Sequence, residues 1–330
     1  MKKCRIFCGL LSVFLFFSCN NTDIQKQAEK IHKKALTLDS HTDTPLRLLS
    51  PDFNFAEKHD PREGGGKIDL PRMKAGGLDA VFMAAFVGQG ARTPEKHKEV
   101  KEKTIRIINQ IHKTIEKNPK NLKLALTASD AEKITNAGMK AIYIGIENGY
   151  ALGKKLNSVS EFYDMGARYI TLCHTRNNDI CDSSTDDKGP EHNGLSEFGK
   201  EVVAEMNRLG MMIDVSHISD SSFYDVLEES NAPVIASHSN ARAVCDNPRN
   251  LTDDMLKKLA ENGGVVQLCI LSEYVKTPEP NPARDSAMQA LRVKYDHFED
   301  LTEEEKYKAR QEWRLVNKQY PRKLATVSHL

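Results

Sequence analysis

The feature that most constrains the fold is a series of short, continuously apolar runs that alternate with segments of helical spacing. Seven such runs predict strands: the first begins at Leu36 and is stopped by Pro45, and the others cover residues 78–87, 140–146, 168–173, 211–216, 233–237 and 265–271. Strands that are apolar on both faces are typical of a parallel sheet covered by helices on both sides. No Gly-x-Gly-x-x-Gly segment follows a strand, which argues against a dinucleotide fold. The pattern therefore predicts an α/β protein with a (β/α) TIM-type barrel.

Side chains of the kind that bind metals stand at the ends of these runs. His41 and Asp43 end the first run, and residues two apart in an extended chain point to the same face. Equivalent strand-end positions are taken by Glu147, His174, His217 and His238. Any one strand-end histidine could equally be a buried structural residue, but the strand ends of a barrel converge on one mouth. The recurrence therefore favours a common site, and we interpret the other seven histidines as solvated.

Imidazole and carboxylate ligands suit zinc, and also manganese, iron or cobalt. A hydrolytic site with one metal needs three protein ligands, and this chain offers five. They are His41, Asp43, Glu147, His217 and His238. Two ions roughly 3.5–4 Å apart, bridged by a carboxylate and a water, would use all of them. Such a bridging water is a hydroxide near neutral pH and can attack an amide carbonyl.

The charge balance gives no reason to expect a nucleic-acid partner, because the chain has 47 lysines and arginines and 46 aspartates and glutamates.

The N-terminus differs from the rest of the chain in composition. A basic start, Met1-Lys2-Lys3, precedes an apolar stretch over residues 6–17 of signal-peptide length. Phe16-Phe17-Ser18-Cys19 then resembles a bacterial lipobox, which implies cleavage before Cys19 and attachment of lipid to its sulfur. The alternative is a plain secretory signal with an incidental cysteine.

These features predict three segments: residues 1–19 form a signal peptide with a lipobox, residues 20–34 a tether, and residues 35–330 the barrel domain. The expected location is outside the cytoplasm, anchored by lipid to a bacterial membrane in the periplasm or outer membrane. After the N-terminus no run of eighteen apolar residues occurs. Cys173, Cys181, Cys245 and Cys269 remain in the barrel domain, where they allow three disulfide pairings or free thiols.

Several short segments around the strand ends match the motifs of one enzyme family. They are His41-Thr-Asp43, Gly145-Ile-Glu147-Asn, Leu172-Cys-His174, Asn177-Asn-Asp-Ile-Cys-Asp182, Asp214-Val-Ser-His217, Ser237-His238-Ser-Asn-Ala-Arg-Ala-Val, Gly65-Gly-Lys-Ile-Asp-Leu-Pro-Arg72 and Asn247-Pro-Arg-Asn-Leu251. From about Ala35 to about Leu271 the chain resembles the membrane dipeptidase (renal dipeptidase) family. The resemblance implies a (β/α) barrel with a binuclear zinc centre that hydrolyses dipeptides and commonly forms homodimers.

The resemblance also implies a role for each matching residue. His41 and Asp43 would hold one zinc ion, His217 and His238 the other, and Glu147 would bridge them. His174 would donate to the substrate carbonyl oxygen as charge develops there. Arg249 would clamp the terminal carboxylate of the substrate by a two-pronged hydrogen bond. Dipeptides would be preferred because that carboxylate must lie one residue from the scissile bond.

The end of the chain departs from the family pattern. The family supplies an eighth strand ending in a Gly-x-Asp-Phe-Asp-Gly type motif, and nothing like it follows the seventh run here. The sequence therefore predicts an incomplete barrel, either a fragment of a longer product or a naturally open barrel. The leading expectation is a metallo-dipeptidase. The alternatives are a metal-containing surface lipoprotein that binds peptides without cutting them, and a related amidohydrolase acting on lactams.

Overall fold

The computed structural model describes residues 20–61, 66–296, 298 and 301–330. The helices are α1 (Asn20–Lys34), α2 (Leu70–Gly76), α3 (Pro94–Lys117), α4 (Ala128–Asn136), α5 (Asn157–Asp164), α6 (Glu197–Leu209), α7 (Asp220–Glu229), α8 (Asp253–Glu261), α9 (Ser272–Val275), α10 (Pro282–Lys294) and α11 (Glu303–Gln319). The strands are β1 (Leu38–Thr42), β2 (Ala80–Phe86), β3 (Leu122–Leu124), β4 (Lys140–Glu147), β5 (Ala167–Thr171), β6 (Met212–Asp214), β7 (Ile235–Ser239) and β8 (Val265–Leu268). Short 3₁₀ turns cover Thr44–Leu49, Gly149–Leu152 and Val327–His329.

Seven of the strands form a parallel, nearly closed barrel in the order β1-β2-β4-β5-β6-β7-β8. The predicted TIM-like α/β fold and its seven strands are thereby confirmed. The additional strand β3 pairs with the amino-terminal part of β4, with Leu122 opposite Lys140. Sequence reasoning missed β3 because it has only three residues, and Lys123 in its middle is exposed.

The strands and helices follow from local chemistry. In β4 every residue after Lys140 is buried, as expected for a parallel strand with helices on both faces of the sheet. Helices α3 and α6 are capped by the preceding residues Thr93 and Ser196, whose side chains accept hydrogen bonds from backbone N–H groups of the first turn. Helix α6 ends at Gly210, whose φ of 72° is readily adopted by glycine.

The barrel stays open between β1 and β8, since no backbone ladder joins these two strands in the described ranges. Side chains bridge part of the gap. The Ser40 amide donates to Oε1 of Gln267 at 3.2 Å, and the Ser40 hydroxyl donates to the carbonyl of Ser237 at 2.6 Å. Beyond β8, helices α10 and α11 pack on each other around Leu291 and Ala309.

The predicted signal peptide and Cys19 lie outside the described residues. Within the described ranges, no helix combines the length and the apolar composition needed to cross a membrane. The four barrel cysteines are free thiols in this structure, which matches the second of the two alternatives left open by the sequence.

Candidate metal centre

The six strand-end side chains come together at the carboxyl end of the barrel, as the sequence predicts. The donor atoms of five of them form two overlapping groups, each within 4.8 Å: His41, Glu147 and His238 in one, and Glu147, His174 and His217 in the other. These residues belong to the ends of β1, β4 and β7 and to the turns after β5 and β6. Parallel strands place their carboxyl ends at one edge, and a barrel bends that edge into a ring.

Glu147 is the centre of the cluster and is 3% exposed. Its Oε2 atom lies 3.2 Å from Nε2 of His41, whereas its Oε1 atom lies 3.1 Å from Nε2 of His217 and 3.6 Å from Nε2 of His238. Asp43 stands at the rim, with Oδ1 3.4 Å from Nε2 of His41. The two oxygens of one carboxylate thus face two different sets of imidazoles.

The protonation of the cluster follows from burial and from the neighbouring charges. Burial lowers the pKa of His217 well below its ordinary value, and burial together with His41 lowers the pKa of His238 to about 4. Burial alone would raise the pKa of Glu147, but His41, His217 and His238 hold it well below the usual range. Burial opposes protonation of His41, but Glu147 and Asp43 raise the pKa of His41 well above the ordinary value. Two neutral imidazoles and an ionised carboxylate therefore meet near pH 7.

Hydrogen bonds to the Nδ1 atoms orient the imidazole rings of His41 and His238. Nδ1 of His41 lies 2.9 Å from the hydroxyl of Tyr169, and Nδ1 of His238 lies 2.8 Å from Oγ of Ser237. These contacts direct both Nε2 atoms into the cluster. His217 differs, since its buried Nδ1 has no hydrogen-bond partner and its backbone φ is 73°. A left-handed backbone is uncommon outside glycine and often marks a functional constraint.

The donor set fits a divalent metal. Nε2 of His217 and Nε2 of His238 lie only 2.8 Å apart. Burial lowers the pKa of both rings, which favours their neutral forms near pH 7. Two imidazoles and a buried carboxylate that converge in this way form a donor set of the kind that binds a divalent metal. Nitrogen and oxygen donors of this kind suit zinc and the other borderline divalent metals.

His174 stands beside the predicted ligands. Its Nε2 lies 3.6 Å from Oε1 of Glu147, and its ring packs edge-on against Phe86 at a centroid distance of 4.7 Å. Burial lowers its pKa. The Ser183 hydroxyl donates to the His174 backbone carbonyl at 2.6 Å and fixes the turn.

Arg249 lies in the loop after β7 and is 4% exposed. Its Nη2 donates to the backbone carbonyl of His238 at 3.1 Å, and its guanidinium stacks 5.3 Å from the ring centroid of Tyr274. Its buried Nε has no hydrogen-bond partner. A buried guanidinium with an unused donor beside the cluster can receive a carboxylate.

The cluster opens into a cavity of about 690 Å³ whose wall is partly apolar. Ile68, Leu268, Ile270, Leu271 and Tyr274 line it together with the cluster. Sequence reasoning missed this wall, and it also missed Tyr169, Ser237 and Asp214 behind the metal ligands. The run over residues 265–271 predicts a strand and carries no signal that its last residues face a site.

Comparisons with known proteins identify the family of this chain. The sequence model of the membrane dipeptidase family (peptidase family M19) matches residues 25–328. The dipeptidase tcpJ of Claviceps purpurea is 32% identical over 257 residues, which cover 75% of this chain and 60% of the relative. The chain therefore spans about three-fifths of the length of that curated relative.

Two solved structures are similar to this chain. The probable dipeptidase PvdM from Pseudomonas aeruginosa superposes with a TM-score of 0.75 and 25% identity over 92% of this chain and 80% of that one. A metallo peptidase from Rhodobacter sphaeroides, liganded with a phosphinate mimic of the dipeptide L-Ala-D-Ala, superposes with a TM-score of 0.65 and 27% identity over 73% of this chain and 75% of that one. Because the family match covers most of the sequence and the strand-end cluster stands where its motifs lie, this chain belongs to the membrane dipeptidase family, peptidase family M19.

Proposed function

We propose that this chain is a zinc-dependent dipeptidase, a hydrolase that cleaves the peptide bond of dipeptides outside the cytoplasm. The observation that carries the proposal is the position of Glu147, whose two oxygens face His41 and His217 at 3.2 and 3.1 Å. Membership of the family and the phosphinate dipeptide mimic bound to the Rhodobacter sphaeroides neighbour support this substrate class.

In this proposal His41 and Asp43 hold one zinc ion, His217 and His238 hold the second, and Glu147 bridges the two. His238 lies close to both sides, since its ring centroid is 4.0 Å from that of His41 and its Nε2 is 2.8 Å from that of His217. When bound, the two ions would supply Lewis acidity and lower the pKa of a shared water, so that a metal-bridging hydroxide is available as the nucleophile near neutral pH.

His174 binds the oxygen of the scissile carbonyl in this proposal. Its imidazole is kept neutral by burial and carries one N–H, which can donate as negative charge develops on that oxygen. The contact with Phe86 limits rotation of the ring, and the bond from Ser183 to the backbone carbonyl fixes its attachment. His174 is therefore oriented before the substrate arrives.

Arg249 selects for substrates with a free carboxylate. Its orphan Nε and its position beside the backbone of His238 put a cationic donor next to the cluster. In this proposal a carboxylate bound by Arg249 lies one residue from the scissile carbonyl, which would favour dipeptides over longer chains. The apolar wall around Leu268 and Ile270 would receive a substrate side chain.

The test is to measure zinc content and dipeptide hydrolysis of the wild-type chain and of Glu147→Gln. We expect two zinc ions per wild-type chain and a loss of turnover of at least 100-fold in the variant, because the bridging charge is gone. Glu205→Gln is the matched control, since Glu205 pairs with Arg208 on the outer face of α6. Equal turnover in wild type and Glu147→Gln would contradict the proposal. Binding of a dipeptide by wild type without turnover would favour the non-catalytic alternative.

We further propose that the mature chain is anchored by lipid on Cys19 and that it forms a homodimer. The proposal for Cys19 rests on the lipobox-like segment of the sequence. Metabolic labelling with palmitate in the bacterial host should modify wild type and leave Cys19→Ser unlabelled. Light scattering of a chain that starts at Asn20 would report the oligomeric state without the lipid, and a monomer would contradict the dimer.

A further inference from the structure

Asp214 is the last residue of β6, and its carboxylate is fully buried behind the histidine cluster. Its Oδ1 accepts hydrogen bonds from the backbone N–H groups of Ser216 and Ser237 at 3.0 and 2.9 Å. Its Oδ2 accepts hydrogen bonds from the hydroxyls of Thr171 and Ser237 at 2.5 and 2.6 Å. Four donors thus converge on one carboxylate in the interior of the barrel.

These bonds determine the direction of the next hydrogen bond. A serine hydroxyl has one hydrogen, and that of Ser237 is donated to Asp214. Ser237 Oγ also lies 2.8 Å from Nδ1 of His238, so this second bond requires the hydrogen of Nδ1–H. With that hydrogen on Nδ1, the His238 imidazole presents the lone pair of Nε2, the atom that faces Glu147 and His217.

We propose that Asp214 and Ser237 are positioning residues for the metal site, which set the tautomer and the ring orientation of His238 through the hydrogen-bonded chain Asp214–Ser237–His238. The inference rests on the proposed metal-binding function and deepens it. Buried groups that hydrogen-bond the far nitrogen of a ligand histidine typically contribute about 10- to 100-fold to metal affinity. In such sites the partner is commonly a carboxylate, a backbone carbonyl or a water, whereas here a serine hydroxyl connects the histidine to a carboxylate.

A purely structural role for Asp214 is the competing explanation, because its bonds tie β5, β6 and β7 together. Two variants separate the roles. Ser237→Ala removes a donor to Asp214 and also the contact with His238, whereas Thr171→Val removes a donor to the same Oδ2 and leaves His238 untouched. Ser239→Ala is a further matched control, because Ser239 lies on the same strand and its buried hydroxyl has no hydrogen-bond partner.

The first measurement is zinc affinity, by competition with a chromophoric chelator. We expect Ser237→Ala to bind zinc about 10- to 100-fold more weakly than wild type. Thr171→Val and Ser239→Ala should bind within about threefold of wild type, whatever their effect on the unfolding temperature. Equal affinities of Ser237→Ala and Ser239→Ala would overturn the inference.

Asp214→Asn gives a sharper test, because an amide nitrogen in place of Oδ2 donates to Ser237 instead of accepting from it. The Ser237 hydrogen then turns to its nearest acceptor, Nδ1 of His238 at 2.8 Å, and the ring takes the tautomer with hydrogen on Nε2. Asp214→Asn should therefore bind zinc more weakly than Ser237→Ala. The double variant should bind better than Asp214→Asn alone, because removal of the hydroxyl frees the ring from the wrong tautomer. A purely structural role predicts that the double variant is the weakest.

The second measurement needs no metal, and its one variant serves only to assign the signals. Proton–nitrogen correlation spectra of metal-free protein labelled with ¹⁵N-histidine distinguish Nδ1–H from Nε2–H, and loss of signals in His238→Gln assigns the ring. We expect Nδ1–H in wild type, and Nε2–H would overturn the inference even if a variant fails to fold. A wild-type protein that binds no zinc would contradict the proposed function. Normal zinc binding with an unaltered Ser237→Ala would contradict only the role of Asp214 and Ser237.

Discussion

Nε2 of His217 and Nε2 of His238 lie 2.8 Å apart at the mouth of the barrel, each within 3.6 Å of Oε1 of Glu147. Two neutral imidazoles at this distance are held together by the fold, and a cation between them would add favourable contacts to the native state only. Zinc at about 100 times its dissociation constant should therefore stabilise the protein by about 2.7 kcal/mol. For a chain of this size that is roughly a 4 °C rise in the unfolding temperature, which differential scanning calorimetry with and without a chelator would measure.

His217→Ala should abolish most of this rise, because it removes a ligand. His112→Ala is the matched control. His112 lies on α3, far along the chain from the cluster, and its Nε2 contacts the carbonyl of Met165 at 2.8 Å. The control should lose some stability and keep the full rise with zinc. Equal zinc-dependent rises in the unfolding temperatures of His217→Ala and His112→Ala would mean that zinc binds at a different site.

The hydroxyl of Tyr169 supports His41 in the way that Ser237 supports His238, at 2.9 Å from Nδ1. Tyr169→Phe keeps the buried ring and removes only this bond. We expect zinc affinity to fall by roughly tenfold, because the His41 ring is freer to turn. Tyr143→Phe on the neighbouring strand β4 is the control, since its hydroxyl donates to the carbonyl of Thr127 at 2.8 Å.

Each of these two variants should lose about 1 kcal/mol of stability through its missing hydrogen bond. Zinc affinity, measured by competition with a chelator, should nevertheless distinguish them, because only Tyr169→Phe should bind zinc more weakly than wild type. Similar zinc affinities for both would show that His41 is oriented by packing alone.

If Arg249 binds the substrate carboxylate, its replacement should lower activity on substrates that carry this carboxylate and leave activity on other substrates nearly unchanged. Arg249→Lys keeps the charge and removes the planar fork, so kcat/KM for a dipeptide should fall about 10- to 100-fold, mostly through KM. For the corresponding dipeptide amide, which lacks the carboxylate, the same variant should change kcat/KM less than threefold. Arg242→Lys controls for the loop, because Arg242 is already bound to both oxygens of Asp220 at 2.7 Å.

Steady-state kinetics with the dipeptide and with its amide would test this prediction. An equal loss on the dipeptide and on its amide would assign Arg249 to the structure of the loop, where it supports the backbone of His238.

The parts that the sequence predicts well share one physical origin. Short, continuous apolar runs such as β4, with helical segments between them, favour buried parallel strands, and polar residues that end such runs, such as Glu147, are then expected at the edge of the sheet. What lies behind the ligands could not be predicted in this way. Tyr169 and Asp214 occupy ordinary strand positions, and their roles depend on which neighbouring strand supplies the partner. Leu268 faces the cavity only because β8 leaves a gap beside β1.

Lowering the pH should show how much Asp69, the N-cap residue before α2, contributes to the free energy of unfolding. Its Oδ1 accepts from the Arg72 amide at 2.8 Å, and its Oδ2 accepts from the His59 amide at 2.8 Å and from Nε of Arg72 at 2.7 Å. Burial alone would raise the pKa of Asp69, but these donors and the charge of Arg72 lower it below its usual value. Asp69→Asn should cost about 1–2 kcal/mol of unfolding free energy at pH 7.

The sign of the pH dependence follows from the direction of the shift. The folded pKa of Asp69 lies below the unfolded value of about 3.9, so the ionised carboxylate stabilises the native state above that pH. The contribution is lost as the pH falls from about 4 through the folded pKa. Urea unfolding should therefore show a gap between wild type and Asp69→Asn that is constant from pH 7 to pH 5 and narrows below pH 4. Asp253→Asn, at an exposed position in the first turn of α8, should show a much smaller gap. A gap for Asp69→Asn that stays unchanged down to pH 3 would show that the carboxylate acts through its shape and not through its charge.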